Sequence, residues 1–156
     1  MSSEHILPVG EGQVVVRGSA DGFAQEIRAG RHVVLADEPV SAGGTNTGPT
    51  PYDLLLAALG SCISMTAGVY SRRKGWPLES VTVLLHHSRI HAEDCENCET
   101  QEGMLDRIDV VIELKGPLTE EQRARLLEIA HRCPVHRTLK AEIEIRSRLE
   151  DASRIR

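Results

Sequence analysis

Four cysteines are the residues of this 156-residue chain best suited to chemistry, and they fall into two settings. Cys62 lies in an uncharged stretch, 54–71, where helical spacing puts it on a stripe with Leu55, Ala58, Leu59, Met65, Thr66 and Val69. A cysteine there can pack as a small hydrophobe. It becomes a nucleophile only with a cation nearby, because three turns into a helix the backbone dipole no longer reaches it. Cys133 directly precedes Pro134, which places it at the N-cap of a short following helix. Free N–H groups at such a cap stabilise a thiolate, and His131, Arg132, His136 and Arg137 are close enough in sequence to add positive charge. The competing reading is a cysteine that merely caps.

Cys95 and Cys98 form a C-x-x-C within His91–Gly103, a polar stretch that also holds Glu93, Asp94, Glu96 and Glu99. Three readings stay open. With His91 the pair would suit a tetrahedral zinc site, although no second ligand pair follows at zinc spacing. The other histidines on the preceding segment, His86 and His87, would point to opposite faces of a strand. As a dithiol the pair would exchange with the other two cysteines, against carboxylates that raise thiol pKa values. As incidental residues they would sit in a solvated acidic loop.

The elements that must position these residues are legible from pattern. Val14–Val16, Phe23–Arg28 and His32–Ala36 read as an antiparallel meander with turns at Ser19–Gly22 and Ala29–Gly30. A loop, SAGGTNTGPTP, leads to a helix with Thr50 at the N-cap, Pro51 at the first position and Asp53 as capping partner, predicted to end at Lys74 before Gly75 and Pro77. Arg72, Arg73 and Lys74 suit the negative end of that helix. Val81–His91 and Met104–Lys115 read as strands, the second alternating Ile108, Val110, Ile112 and Leu114 with polar neighbours. Thr119–His131 reads as a helix opened by a Thr119/Gln122 capping box, PVHRTL as a short one, and Ala141, Ile143 and Ile145 as a last alternating strand. The expected organisation is one domain over 1–156, with an inserted loop at 91–103 and a frayed tail at 150–156. The fold class is α+β: antiparallel sheet with a long central helix packed on it.

Composition narrows the options. Hydrophobic residues make up 40% of the chain and aromatics 3%, so the core is built from Leu, Ile, Val and Ala. Large aromatic areas are missing, which makes further burial in a dimer useful. A formal net charge of −5 without dense Lys/Arg clusters argues against nucleic acid as partner. The first ten residues lack a signal-peptide pattern, so a cytoplasmic location is expected, where structural disulfides are not. The 54–71 stretch carries too many small polar residues to predict a membrane span and is expected to be a buried central helix.

Two motifs, GTNTGPTPYDLLLAALGSCISM and HRCPVHRTL, resemble the segments around the two cysteines of the OsmC/Ohr hydroperoxide reductases, with the intervening elements in the same order over residues 10–150. The resemblance implies an OsmC-like α+β fold, an intertwined homodimer with sites near the subunit interface, and a role in oxidative stress defence without an organic cofactor. It implies that Cys62 attacks an organic hydroperoxide, that Cys133 resolves the sulfenic acid, and that a dithiol reductant, lipoyl-type in the hydroperoxide-resistance branch, restores both. Two positions depart from the pattern. Tyr52 stands where the reductases carry glutamate, with Asp53 next to it. The arginine that activates the first thiol comes from the N-terminal strands, where Arg17, Arg28 and Arg31 are available; Arg31 is carried with Tyr52 and Asp53 as a catalytic candidate. These departures point to the broader OsmC-like branch. The alternatives are an OsmC-like protein that binds a hydrophobic ligand without catalysis, and a metal-binding protein built on the Cys95/Cys98 loop.

Overall fold

Val15–Gly18, Gln25–Ala29 and His32–Ala36 form strands β1, β2 and β3; Pro51–Lys74 forms helix α1; Ser80–His91 and Met104–Lys115 form β4 and β5; Glu120–Ala130 and Pro134–Lys140 form α2 and α3. The computed structural model describes residues 9–149. These residues group into two compact units, one of 9–53 with 144–149 and the other Leu54–Ile143. The architecture is α+β with antiparallel strands and one long helix, as the pattern predicts. The tail expected at 150–156 lies outside the described residues.

In the first unit β1, β2 and β3 pair as an antiparallel meander, with Val15 opposite Arg28 and Gln25 opposite Ala36. The loop that follows is organised by Asp37, whose side chain is 2% exposed. Its carboxylate accepts from the hydroxyls and backbone N–H groups of Thr45 and Thr47 and from the Glu38 N–H. The Thr45 hydroxyl, helped by the other donors and opposed by burial, holds this carboxyl well below the usual carboxylate range. The start of α1 is fixed as its sequence requires: the Asp53 N–H donates to Thr50 Oγ1 at 3.1 Å and the Thr50 N–H donates to Asp53 Oδ2 at 2.9 Å. This reciprocal pair satisfies two helix-terminal donors.

The second unit is built on β4 and β5, which pair along twelve residues each, from Ser80 opposite Lys115 to His91 opposite Met104. Side chains alternate between faces in a pleated strand. Val83, Leu85, Ile108, Val110 and Ile112 therefore share one face, and they pack on Leu59 and Ile63 of α1, on Ala130 and on Cys133. A second cluster joins Ala67, Leu118 and Leu126 to Tyr70, Trp76, Leu78, Val81 and Leu114. Ile63 and Leu126 are each 1% exposed. Burying a side chain of that size contributes about 1.5–3 kcal/mol. Gly60 lets α1 approach β4, because a Cβ there would stand 2.7 Å from Leu85 Cδ1. Gly75, with φ +65, supplies the left-handed residue that ends α1. The capping box of α2 forms as predicted between Thr119 and Gln122.

Two expectations are corrected. The helix read as buried on most sides shows one buried stripe, Leu59, Gly60, Ile63, Ala67 and Ser71, while Leu55, Met65 and Val69 are exposed. α1 is long and apolar enough by composition to cross a membrane, and its Leu59, Ile63 and Ala67 are buried in the two clusters of this unit. The alternating segment 141–145 is not a strand: no residue from 141 to 149 joins a ladder, and Ile143 and Ile145 are exposed. Alternation supplies a face to bury, but a strand also needs a neighbouring edge, and among the described residues none is paired with it.

Candidate functional site

The turn between α2 and α3 brings the two motif cysteines together. Pro134 occupies the first turn of α3 and leaves Cys133 as its N-cap, where the sulfur accepts the His136 N–H at 3.3 Å. The next donor serves the other cysteine: the Val135 N–H donates to Cys62 Sγ at 3.5 Å. The two thiols are close enough to influence one another's ionisation. Both are free, with Cys62 partly exposed and Cys133 fully buried at 0%. The two sulfurs thus share the α3 N-terminus, one reachable from solvent and one behind it.

Their electrostatics differ. Burial pushes the Cys133 thiol up, and the neighbouring Cys62 sulfur adds to this, while the His136 and Val135 N–H groups oppose it. Cys133 therefore holds its proton more tightly than an ordinary thiol. The positive charge expected from His136 is not supplied. Its imidazole stacks on that of His131 at 5.6 Å between centroids, and burial, the neighbouring His131 and Lys140 lower its pKa, so it is neutral at pH 7. Arg132 and Arg137 are exposed.

Arg17, Arg28, Arg31, Tyr52 and Asp53 belong to the first unit, and Cys95 and Cys98 to the second. Arg31 is exposed in the turn between β2 and β3, and Arg28 is engaged by Glu26 at 2.6 Å. Arg17 lies on β1 and is exposed. Tyr52 is exposed in the first turn of α1. Asp53, carried as a catalytic candidate, has its carboxylate engaged in the cap with Thr50, because a reciprocal box at a helix start outcompetes solvent for that side chain. Cys95 and Cys98 are joined in a disulfide with Cα atoms 5.6 Å apart. This corrects the expectation that the chain would hold no disulfide: a C-x-x-C turn brings its ends into bonding range without help from the core. In this disulfide-bonded form Cys95 and Cys98 present no thiolate beside His91. Among the described residues no group of three or more His, Cys, Asp or Glu is placed to hold a metal ion.

One contributor to the site has no signature in the sequence. The Val135 N–H is a backbone donor with no side-chain signature, although Pro134 announces unsatisfied donors just after it.

A family profile described as OsmC-like protein matches residues 44–148. No curated protein matches the chain. Among solved structures, an OsmC-like protein from Mycoplasma pneumoniae is 20% identical with a TM-score of 0.65, over 82% of this chain and 86% of that one. The organic hydroperoxide resistance protein OhrB of Bacillus subtilis is 21% identical with a TM-score of 0.57, over 82% and 89%. An organic hydroperoxide resistance protein OsmC from Legionella pneumophila is 17% identical with a TM-score of 0.60, over 82% and 88%.

Proposed function

The chain belongs to the OsmC-like protein family, and from that premise we propose that it reduces organic hydroperoxides through Cys62 and Cys133, in defence against oxidative stress. The observation that carries this reading is the pair itself: two free, hydrogen-bonded thiols at one helix N-terminus, one partly exposed and one buried with its proton held. A redox role fits that arrangement more closely than a packing role, since a packing cysteine needs no second sulfur.

In the proposed cycle the Cys62 thiolate attacks the outer oxygen of the hydroperoxide. The O–O bond breaks, the alkoxide leaves and takes a proton to become an alcohol, and Cys62 becomes a sulfenic acid. Cys133 then attacks that sulfur, water leaves, and a Cys62–Cys133 disulfide remains. A dithiol reductant transfers two electrons and two protons to restore both thiols and is itself oxidised to a disulfide. The Val135 N–H steadies negative charge on Cys62 at each stage where that sulfur carries it.

We further propose that the working form is a homodimer in the cytoplasm. The exposed apolar side chains Leu55, Met65 and Val69 on α1, and the unpaired alternation of Ala141, Ile143 and Ile145, are the surfaces that a second copy would cover.

The test is consumption of cumene hydroperoxide with dihydrolipoamide as electron donor. Wild-type protein should turn over, Cys62→Ser should fall to background, and Cys133→Ser should accumulate a dimedone-reactive sulfenic acid at Cys62. A wild-type protein that consumes no hydroperoxide with any dithiol sinks the reading.

A further inference from the structure

The loop closing the β4–β5 hairpin contains five carboxylates, Glu93, Asp94, Glu96, Glu99 and Glu102, and no lysine or arginine. Its cysteines are half-buried, while Glu93, Asp94, Glu96, Asn97 and Glu99 around them are exposed. The loop is held by its own backbone: the Ala92 N–H donates to the Gly103 carbonyl at 2.8 Å, the Cys95 N–H to the Ala92 carbonyl at 3.1 Å, and the Gln101 amide to the Cys98 carbonyl at 3.3 Å. None of these bonds depends on the Cys62/Cys133 pair. From Ile108, which packs on that pair's cluster, the hairpin continues four register positions to Met104 before the loop begins. At roughly 3.3 Å per residue that is about 13 Å of strand. The disulfide is therefore a separate, solvent-facing feature of the same unit.

We propose that Cys95–Cys98 is a second thiol–disulfide exchange site, and that its partner is a dithiol protein with basic residues around its reactive sulfur. The carboxylates set the sign of that partner. A clustered negative field raises the local concentration of cationic groups and repels anionic ones. They also select the sulfur. The one that departs must carry negative charge, and Cys95 is flanked by Asp94 and Glu96 whereas Cys98 is flanked by Asn97 and Glu99. Cys98 is the better leaving group, so attack falls on Cys95. In the first step the partner's thiolate bonds to Cys95 Sγ, the Cys95–Cys98 bond breaks, and Cys98 leaves and takes a proton from water. In the second step the partner's other thiolate attacks the mixed disulfide, the partner closes its own disulfide, and Cys95 is released and protonated. Two electrons and two protons pass from the partner to the loop.

This inference does not rest on the peroxidase reading, and its test uses no hydroperoxide. The oxidised wild-type chain is treated with cysteamine, 2-mercaptoethanol or 2-mercaptoethanesulfonate, which are cationic, neutral and anionic. Alkylation and peptide mass spectrometry then read Cys95 and Cys98 separately from Cys62 and Cys133. The expected result is that native protein is opened at the loop, with the adduct on Cys95. The rate advantage of cysteamine over the sulfonate should shrink about fivefold or more between about 0.01 M and about 1 M salt. An Asp94→Asn/Glu96→Gln variant should lose most of that salt-sensitive advantage. A loop disulfide that no thiol opens without denaturant overturns the proposal, as does a rate ratio indifferent to salt. About one equivalent of zinc per chain shielding Cys95 and Cys98 from alkylation also overturns it.

Discussion

Cys62 and Cys133 stand far apart in sequence and meet where α1 passes the N-terminus of α3, with one sulfur fully buried and each accepting a backbone N–H. Cys95 and Cys98 stand three apart and meet in a loop of exposed carboxylates. The first pair exists only because β4, β5 and three helices assemble a core around it. The second needs little beyond its own turn. In the first, the surroundings hold a proton on one sulfur and leave the other reachable; in the second, a fixed negative field governs which partner approaches. The same two atoms are thus tuned by desolvation in one place and by long-range charge in the other.

The strongest way to break this contrast is to remove the buried sulfur. Cys133→Ser should abolish multiple turnover with hydroperoxide while a single equivalent is still reduced, whereas Cys95→Ser/Cys98→Ser should leave turnover with a small dithiol unchanged. A turnover assay with dithiothreitol separates the two, and equal losses would erase the distinction. The second test is the pH dependence of stability. The folded chain holds the Cys133 proton more tightly than the unfolded chain does. The native state therefore binds more protons once pH passes the unfolded thiol's pKa of about 8.5, and stability falls as pH rises from there through the raised native value, being fully present below it. Urea midpoints across the alkaline range should fall in wild type and flatten in Cys133→Ala. No such change should follow when Cys95 and Cys98 are replaced.

The third test acts through packing. Gly60→Ala brings a Cβ to 2.7 Å from Leu85 Cδ1. Overpacking costs about 1–3 kcal/mol, against a gain of about 1 kcal/mol from replacing a helical glycine. A net loss of about 1 kcal/mol is expected because a leucine tip can yield. Chemical denaturation measures it, and the thiol-exchange rate of the distant loop should stay as it was. The smallest expected effect is on stability when the loop disulfide is opened. A ring this short constrains the unfolded chain little, so Cys95→Ser/Cys98→Ser should cost less than about 2 kcal/mol. A larger drop would show that the loop supports the hairpin.

The site was only partly legible. Cys133 could be read as an N-cap because Cys-Pro followed by a short helical run is a local signal, and the structure places it there. The proximity of Cys62 was suggested only by resemblance, since nothing in a helical stripe tells which sulfur shares its donors. The imidazoles of His131 and His136 were read as charge near the thiols. Desolvation, which depends on neighbours distant in sequence, keeps His136 neutral.

What the sequence determined by itself was local: the bounds of α1 from Pro51 to Lys74, the Thr50/Asp53 and Thr119/Gln122 caps, and the alternation that makes β5 two-faced. Each depends on residues within a few positions of one another, where backbone geometry leaves little choice. Tertiary structure alone decided that Val135 serves Cys62, that Asp37 gathers Thr45 and Thr47, and that 141–145 stays unpaired in a single chain. Those outcomes depend on burial and on a partner across space, and neither quantity is carried by spacing along the chain.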